Sequence, residues 1–225
     1  MAFLLDNVVP WGRNIDEYKE MFLISTEDKN KNIAGFGDGP ASFNSQATKE
    51  GFFVRSFDPI YQFSREQLEK RIEEVRIMVM QQIAENKDNY VWSKIHNLDE
   101  LETVRMSAMK EFLRDYEIGK SEGRYIYHEL PNQLPYENGE FDIGLCSHFL
   151  LMYTSLGYDF HVASINEMLR VCKEVRIFPI CDLDGQSAKM INDVIAYLSE
   201  RYSVEIKQTE YEFQKGANRL LKIQK

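Results

Sequence analysis

The sequence predicts a doubly wound α/β fold: a mostly parallel seven-stranded sheet with a C-terminal antiparallel hairpin and a helical insertion between strands 2 and 3. Three observations predict it. The stretch "NIAGFGDGPASFNSQATKEGFFVRSF", from Asn32, reads as strand, glycine turn, helix, strand, which is half of a doubly wound sheet. After residue 124 short apolar runs again alternate with helical patterns. The last two runs are joined by a short link holding Gly216, and strands joined that tightly run antiparallel.

The elements follow in order. Ile15, Tyr18, Met21 and Phe22 recur at helical spacing in "RNIDEYKEMFLI", and "STEDKNK" is a polar connector. "NIAGF" is the first strand and "GDG" its turn. Pro40 suits the first position of the helix "PASFNSQATKE", and Gly51 supplies its stop. "FFVRSF" is the second strand. Asp58-Pro59 ends it, because the residue before proline is driven from helical space.

Residues 61–124 read as the insertion. Ser64 with Gln67 forms a capping box that opens a long helix, with Leu68, Ile72, Val75, Val79 and Ile83 as a single apolar stripe. Its other faces mix arginine and lysine with glutamate, the pattern of a solvated, self-paired surface. A second helix opens at Asn97, with Glu100 three residues on, and stops at Gly119. Neither helix is long enough to bury a core alone, so the expectation is one domain over residues 1–225 with 61–124 as a lid within it.

The remaining strands are "RYIYHE", "FDIGLCS", "EVRIFPI", "YSVEIKQTEYEF" and "NRLLKIQK". Between them, Ile165, Met168, Leu169 and Cys172 mark one helix. Ser187 caps another that carries Ile191, Val194, Ile195 and Leu198.

Composition narrows the function. The 225 residues, 44% hydrophobic and 28% charged, suit a soluble globular domain. No run reaches the roughly 18 apolar residues that span a bilayer. "MAFLLDNVVPWGR" lacks the basic start and cleavage site of a leader. Three cysteines without CxxC spacing read as reduced thiols of a cytoplasmic protein. The net charge of −9 repels phosphate backbones and argues against nucleic acid. Four dispersed histidines offer no metal cluster. A homo-oligomer is compatible with the sequence but not readable from it.

The chemistry lies in the glycine turn. In an open α/β sheet, ligands bind beyond the C-terminal ends of the strands, at the switch point. Gly37 and Gly39 let the backbone approach a ligand there, and the start of the following helix aims free N–H groups at the same place. Asp58, 21 residues after Gly37, ends the neighbouring strand and can accept both hydroxyls of a ribose. The plainer alternative is a turn needed for tight packing, with Asp58 as a turn former. A dinucleotide fold wants a third glycine where Ser42 stands and lacks a terminal hairpin, which disfavours a nicotinamide-dependent oxidoreductase.

Together the glycine turn, the distant acid, "LPYENGEFDIGLCSHFLLMY", "INEMLRVCKEVRIF" and the closing hairpin resemble class I S-adenosylmethionine-dependent methyltransferases, over about residues 31–60 and 125–225. "GDGPASFN" and "SHFL" are similar to an uncharacterised methyltransferase-like subfamily. The resemblance implies S-adenosylmethionine as cofactor; the 61–124 lid, with its balanced acids and bases, points to a small-molecule acceptor rather than a polyanion. The resemblance also implies that Gly37 and Gly39 line the methionine part, with Gly35, Phe36 and Asp38 also at the cofactor, that Asp58 binds the ribose, and that Pro59 and Ile60 flank the adenine. Glu129, or the main chain at Leu130, would meet the adenine amino group. Cys146, Ser147 and His148 would face the transferable methyl.

The family carries an acid where this chain has Gly35, and Asp38 is the candidate to replace it. Arg13 and Tyr18 could reach the cofactor carboxylate, and Arg13 reads equally as a surface cation. His148 is the candidate base, ahead of His161 and His128, against the plainer reading of a strand-end histidine satisfied by backbone. Tyr153 would line the substrate pocket. The alternative function is a methyltransferase fold that binds cofactor or another nucleotide without turnover.

Overall fold

A computed structural model describes residues 9–225. The apolar patch of residues 1–8, part of the no-leader reading, lies outside the described residues. The sheet contains β1 (Asn32–Phe36), β2 (Phe53–Asp58), β3 (Tyr125–Tyr127), β4 (Phe141–Ser147), β5 (Cys172–Phe178), β6 (Ser203–Gln208) and β7 (Arg219–Gln224). Their order is β3-β2-β1-β4-β5-β7-β6. β7 runs antiparallel to both β5 and β6, and the remaining pairs are parallel. The expected antiparallel closing pair is present, with β7 inserted between its partner and the rest of the sheet. The strand order reverses between β1 and β4, so the switch point lies at their C-terminal ends.

The pleat divides the core. Ala34 and Phe36 of β1 face the layer of α5 (Tyr158–Val171) and α6 (Lys189–Ser199), where Ile165, Met168, Leu169, Ile191 and Val194 are buried. Ile33 faces the opposite layer of α1 (Ile15–Phe22) and α2 (Phe43–Lys49), with Tyr18, Phe22, Phe43 and Ala47. Asn14 and Glu17 cap α1 reciprocally. Between β2 and β3 stand α3 (Arg65–Glu85) and α4 (Leu98–Ser121). The Ser64–Gln67 box and the five-residue stripe of α3 form as the spacing predicts. Leu68 and Ile72 meet Met109, Phe112 and Tyr116 of α4. Among the described residues no helix is long and apolar enough to cross a membrane.

Five local expectations are corrected, the first being that α4 does not stop at Gly119 but carries it, buried, and runs on to Ser121. α2 begins at Phe43, not Pro40, because Ser42 N–H donates to Arg13 O (3.0 Å) and holds residues 40–42 out of the helix. Cys172 opens β5, pairing with Phe141, and does not extend α5. α6 starts at Lys189 after Ala188, so Ser187 is not its cap. At Asn97 the box is one-sided: Glu100 N–H donates to Asn97, but the Glu100 carboxylate turns to His96.

One buried network ties distant parts together. Arg105 on α4 is almost wholly buried and donates through Nη1 to both oxygens of Glu17 on α1. Its Nη2 donates to the Tyr211 hydroxyl (3.2 Å), which donates to Glu17 (3.0 Å). Burial alone would raise the Glu17 pKa, but the charges of Arg105 and Arg13 outweigh it and hold it below the usual value. Removing one partner leaves an uncompensated buried charge. Arg105→Met should therefore cost about 3–5 kcal/mol, and Glu17→Gln/Arg105→Met far less. Urea denaturation checks this, and equal losses in the two proteins would refute it.

Candidate functional site

The site is built on the turn after β1. Gly37 (φ +68°) and Gly39 (φ +56°) occupy the left-handed region that suits glycine. Gly37 N–H donates to Phe57 O (2.9 Å), and a Cβ there would stand 2.9 Å from the Phe149 ring. Asp38 folds back beneath the turn. Its Oδ1 accepts from the Tyr18 hydroxyl (2.8 Å) and its Oδ2 from Ser56 (2.6 Å). A Cβ on Gly35 would overlap this carboxylate, so Gly35 is the residue that leaves Asp38 its room.

Asp58, at the tip of β2, points to the same turn. Its Oδ2 accepts from Gly39 N–H (2.8 Å) and its Oδ1 from Ile60 N–H (2.9 Å). The inserted region braces the arrangement. The Tyr61 hydroxyl donates to Gly39 O (2.9 Å), and the Tyr116 hydroxyl on α4 reaches the carbonyls of Tyr61 and Phe63. Asp38 and Asp58 are each 7% exposed, and burial raises both pKa values to about 6; for Asp58 the Asp38 charge adds to the rise.

Beyond these carboxylates opens a cavity of about 400 Å³, within the range of small-molecule sites. Gly37, Asp38, Gly39 and Asp58 form its floor, with Arg13 and Tyr18 beside them. Pro59, Ile60, Glu129 and Leu130 line one side, and Ser147 and His148 another. Three residues expected at the cofactor are outside the wall: Gly35 lies under Asp38, Phe36 stacks on Phe57 at 5.4 Å, and Cys146 is fully buried. The helix-start donors expected here are also absent from the wall, since α2 begins later and Ser42 N–H is engaged.

Sequence reasoning passed over other lining residues. Trp11 and Pro10 close the cavity from the segment before α1, which rests on the turn: a Cβ on Gly12 would overlap Pro40 O. Phe149 belongs to the "SHFL" motif, the one signal that pointed to it. His128, named in the sequence only as a lesser candidate base, lines the cavity, and its Nε2 is buried without a partner, as is Arg13 Nε.

His148 has φ +53°, unusual for a non-glycine residue. Its N–H donates to Phe178 O (2.7 Å), and its Nδ1 lies 2.9 Å from Ser147 Oγ. Burial, then the charges of Arg13 and Arg105, holds its pKa well below the ordinary value, so the ring is neutral. His161 is different: Leu151 N–H donates to its Nδ1 and its Nε2 contacts Tyr153 O, so both nitrogens are used by backbone. Tyr153 lines a second, smaller cavity that also touches His148.

The raised carboxylate pKa values carry a stability signature. Each folded value, about 6, exceeds its ordinary 3.8, so the folded chain binds protons more tightly than the unfolded one. Stability of the ligand-free chain should therefore fall as pH rises from about 4 to 6 and level off above, by up to about 3 kcal/mol per carboxylate. Asp38→Asn should flatten this slope and raise the melting temperature at pH 7.5. An unchanged slope in that variant would refute the assignment.

No family model matches the chain. Solved structures similar to it include magnesium protoporphyrin IX methyltransferase (ChlM) of Synechocystis PCC 6803 with bound SAM, at 12% identity, covering 89% of this chain and 74% of that one, TM-score 0.44. Others are the PH0226 protein of Pyrococcus horikoshii OT3 (11%, 90% and 85%, TM-score 0.47) and a SAM dependent methyltransferase of Aquifex aeolicus (9%, 92% and 90%, TM-score 0.41). These likenesses are too distant to speak to activity. The uncharacterized protein MJ0045 of Methanocaldococcus jannaschii is 33% identical over 223 residues, covering 98% of each chain. The chain belongs to the family of that protein.

Proposed function

We propose that the chain is an S-adenosylmethionine-dependent methyltransferase with a small-molecule acceptor. One observation carries the reading: two buried carboxylates, Asp38 and Asp58, lie beneath a glycine turn at the switch point and face one cavity. No cation of the chain pairs with either among the described residues. S-adenosylmethionine carries a sulfonium and an ammonium, and its net positive charge complements them.

The residues present fit that group. Each carboxylate oxygen holds further lone pairs after its one hydrogen bond, so Asp58 retains acceptors for two ribose hydroxyls. Asp38 takes the ammonium, standing in the space left by Gly35. Pro59, Ile60 and Leu130 would hold the adenine, and the unpartnered Nε2 of His128 would be available to its polar edge, a better-placed group than the exposed Glu129. Arg13 stands beside Tyr18 within reach of the cofactor carboxylate. When bound, the cofactor supplies an electrophilic methyl carbon. The chain's task is then to align the acceptor and exclude water. With its Nδ1–H donated to Ser147, His148 keeps a lone pair on Nε2 for a proton leaving the acceptor. All three cysteines are buried and unpaired, in keeping with a reducing compartment.

One observation favours a second reading, binding without turnover: the low proton affinity of His148 makes it a weak base. Calorimetry and a turnover assay separate the two. S-adenosylmethionine should bind, and Asp58→Asn, which keeps one carbonyl acceptor for the turn, should weaken it by about tenfold or more. Undiminished affinity would remove Asp58 from the site. Incubated with fractionated metabolites, the wild type should form S-adenosylhomocysteine faster than His148→Ala. Equal rates would dismiss His148 as base, and no product from any fraction would favour the binding reading.

A further inference from the structure

A second cavity, of about 110 Å³, adjoins the first, and Val9, Trp11, Arg13 and His148 line both. Its other walls come from several parts of the chain, Leu183 after β5 among them. Val79, Ile83 and Arg105 come from the inserted helices, Met152 and Tyr153 from the segment after β4, and Tyr211 and Phe213 from the link between β6 and β7.

We propose that this second cavity is the methyl-acceptor site and that it receives an uncharged molecule built on a single aromatic ring. The proposal rests on the first cavity being the S-adenosylmethionine site. Position is the first argument: the two cavities meet at His148, at the C-terminal end of β4, so an occupant of the second approaches an occupant of the first from that side.

Size and surface give the class. A cavity of about 150 Å³ with apolar walls takes benzene; this one, of about 110 Å³, leaves room for no more than a single ring, whose substituents would reach toward the guanidiniums and the shared wall at His148. Its walls carry the rings of Trp11, Tyr90, Tyr153, Tyr211 and Phe213, and Tyr90 and Phe213 lie tilted against each other at 5.0 Å, so an aromatic occupant meets ring edges and faces.

Charge decides against an ion. The charges around the two cavities are buried Asp38, Asp58 and Glu17 against buried Arg105 and half-buried Arg13, which leaves one net negative. Glu129 is exposed and screened, and His148 is neutral. S-adenosylmethionine brings one net positive charge, so the set is balanced before the acceptor arrives. A charged acceptor would bury a charge with no counterpart. Both guanidiniums in the wall keep a buried Nε–H without a partner, which favours a ring bearing a carbonyl or hydroxyl oxygen.

The test titrates the full chain with 4-hydroxybenzamide and with 4-hydroxybenzoate, with and without saturating S-adenosylmethionine, by calorimetry and ligand-observed NMR. The neutral probe should bind, and about tenfold or more tighter than the anion when the cofactor is present. Ala217→Leu, which fills the second cavity from a buried position, should abolish probe binding while S-adenosylmethionine affinity stays within about twofold. Failure of the neutral probe to bind a chain that holds S-adenosylmethionine would overturn the proposal. So would equal or tighter binding of the anion, or unchanged probe binding to a folded Ala217→Leu. Should S-adenosylmethionine itself not bind, the first-cavity reading fails instead, and the titration without cofactor still decides whether the second cavity takes an uncharged ring.

Discussion

Two carboxylates placed side by side in a buried turn are costly unless dipoles or a cation compensate them, and the construction around the switch point follows from that cost. Asp38 and Asp58 draw on four donors: the Tyr18 and Ser56 hydroxyls for one, the Gly39 and Ile60 amides for the other. Each donor arrives on a different element. Tyr18 requires α1 to lie against the sheet, Ser56 requires β2 to pair beside β1, and the Gly39 amide requires the left-handed turn. Burial also raises Tyr18 well above its ordinary pKa, so it remains a donor at any working pH. Among the described residues no cation pairs with either carboxylate, although Arg13 stands in the same cavity wall, and an unpaired carboxylate pair is what a bound cation would complement.

The same logic explains why the insertion and the C-terminal link converge here. Tyr61 and Tyr116 hold the glycine turn from above through main-chain carbonyls. Arg105 reaches from α4 to α1 and to Tyr211, so the helices that brace the first cavity also wall the second. A shift of α4 would loosen Glu17, and with it the start of the helix that carries Tyr18. The walls of the two cavities are thus mechanically joined through one buried ion pair.

Much of this was legible in the residues. Strand runs and the α3 stripe depend on local periodicity, which a single sequence states openly. The glycine turn and Asp58 were readable because their spacing is set by one strand–turn–helix unit. Gly35 was conspicuous as a missing acid, but its reason was hidden: the Asp38 carboxylate turns back into the vacated space, a packing fact that no spacing reports. The start of α2 was misplaced because Arg13, from an earlier segment, claims the Ser42 amide. The second cavity was invisible because Val79, Arg105, Met152 and Phe213 are far apart in sequence and meet only in the folded chain. Of its walls, Arg13, His148 and Tyr153 were singled out as site residues, but each by its own local context and none as part of a second cavity.

The central claim is that the buried carboxylate pair exists to meet a cation. Calorimetric titration with S-adenosylmethionine at pH 6, repeated in buffers of different ionisation enthalpy, counts the protons exchanged on binding. With both carboxylates near half-protonated in the free chain and ionised in the complex, roughly one proton should be released per cofactor bound. Binding without proton release, or with proton uptake, would contradict the account.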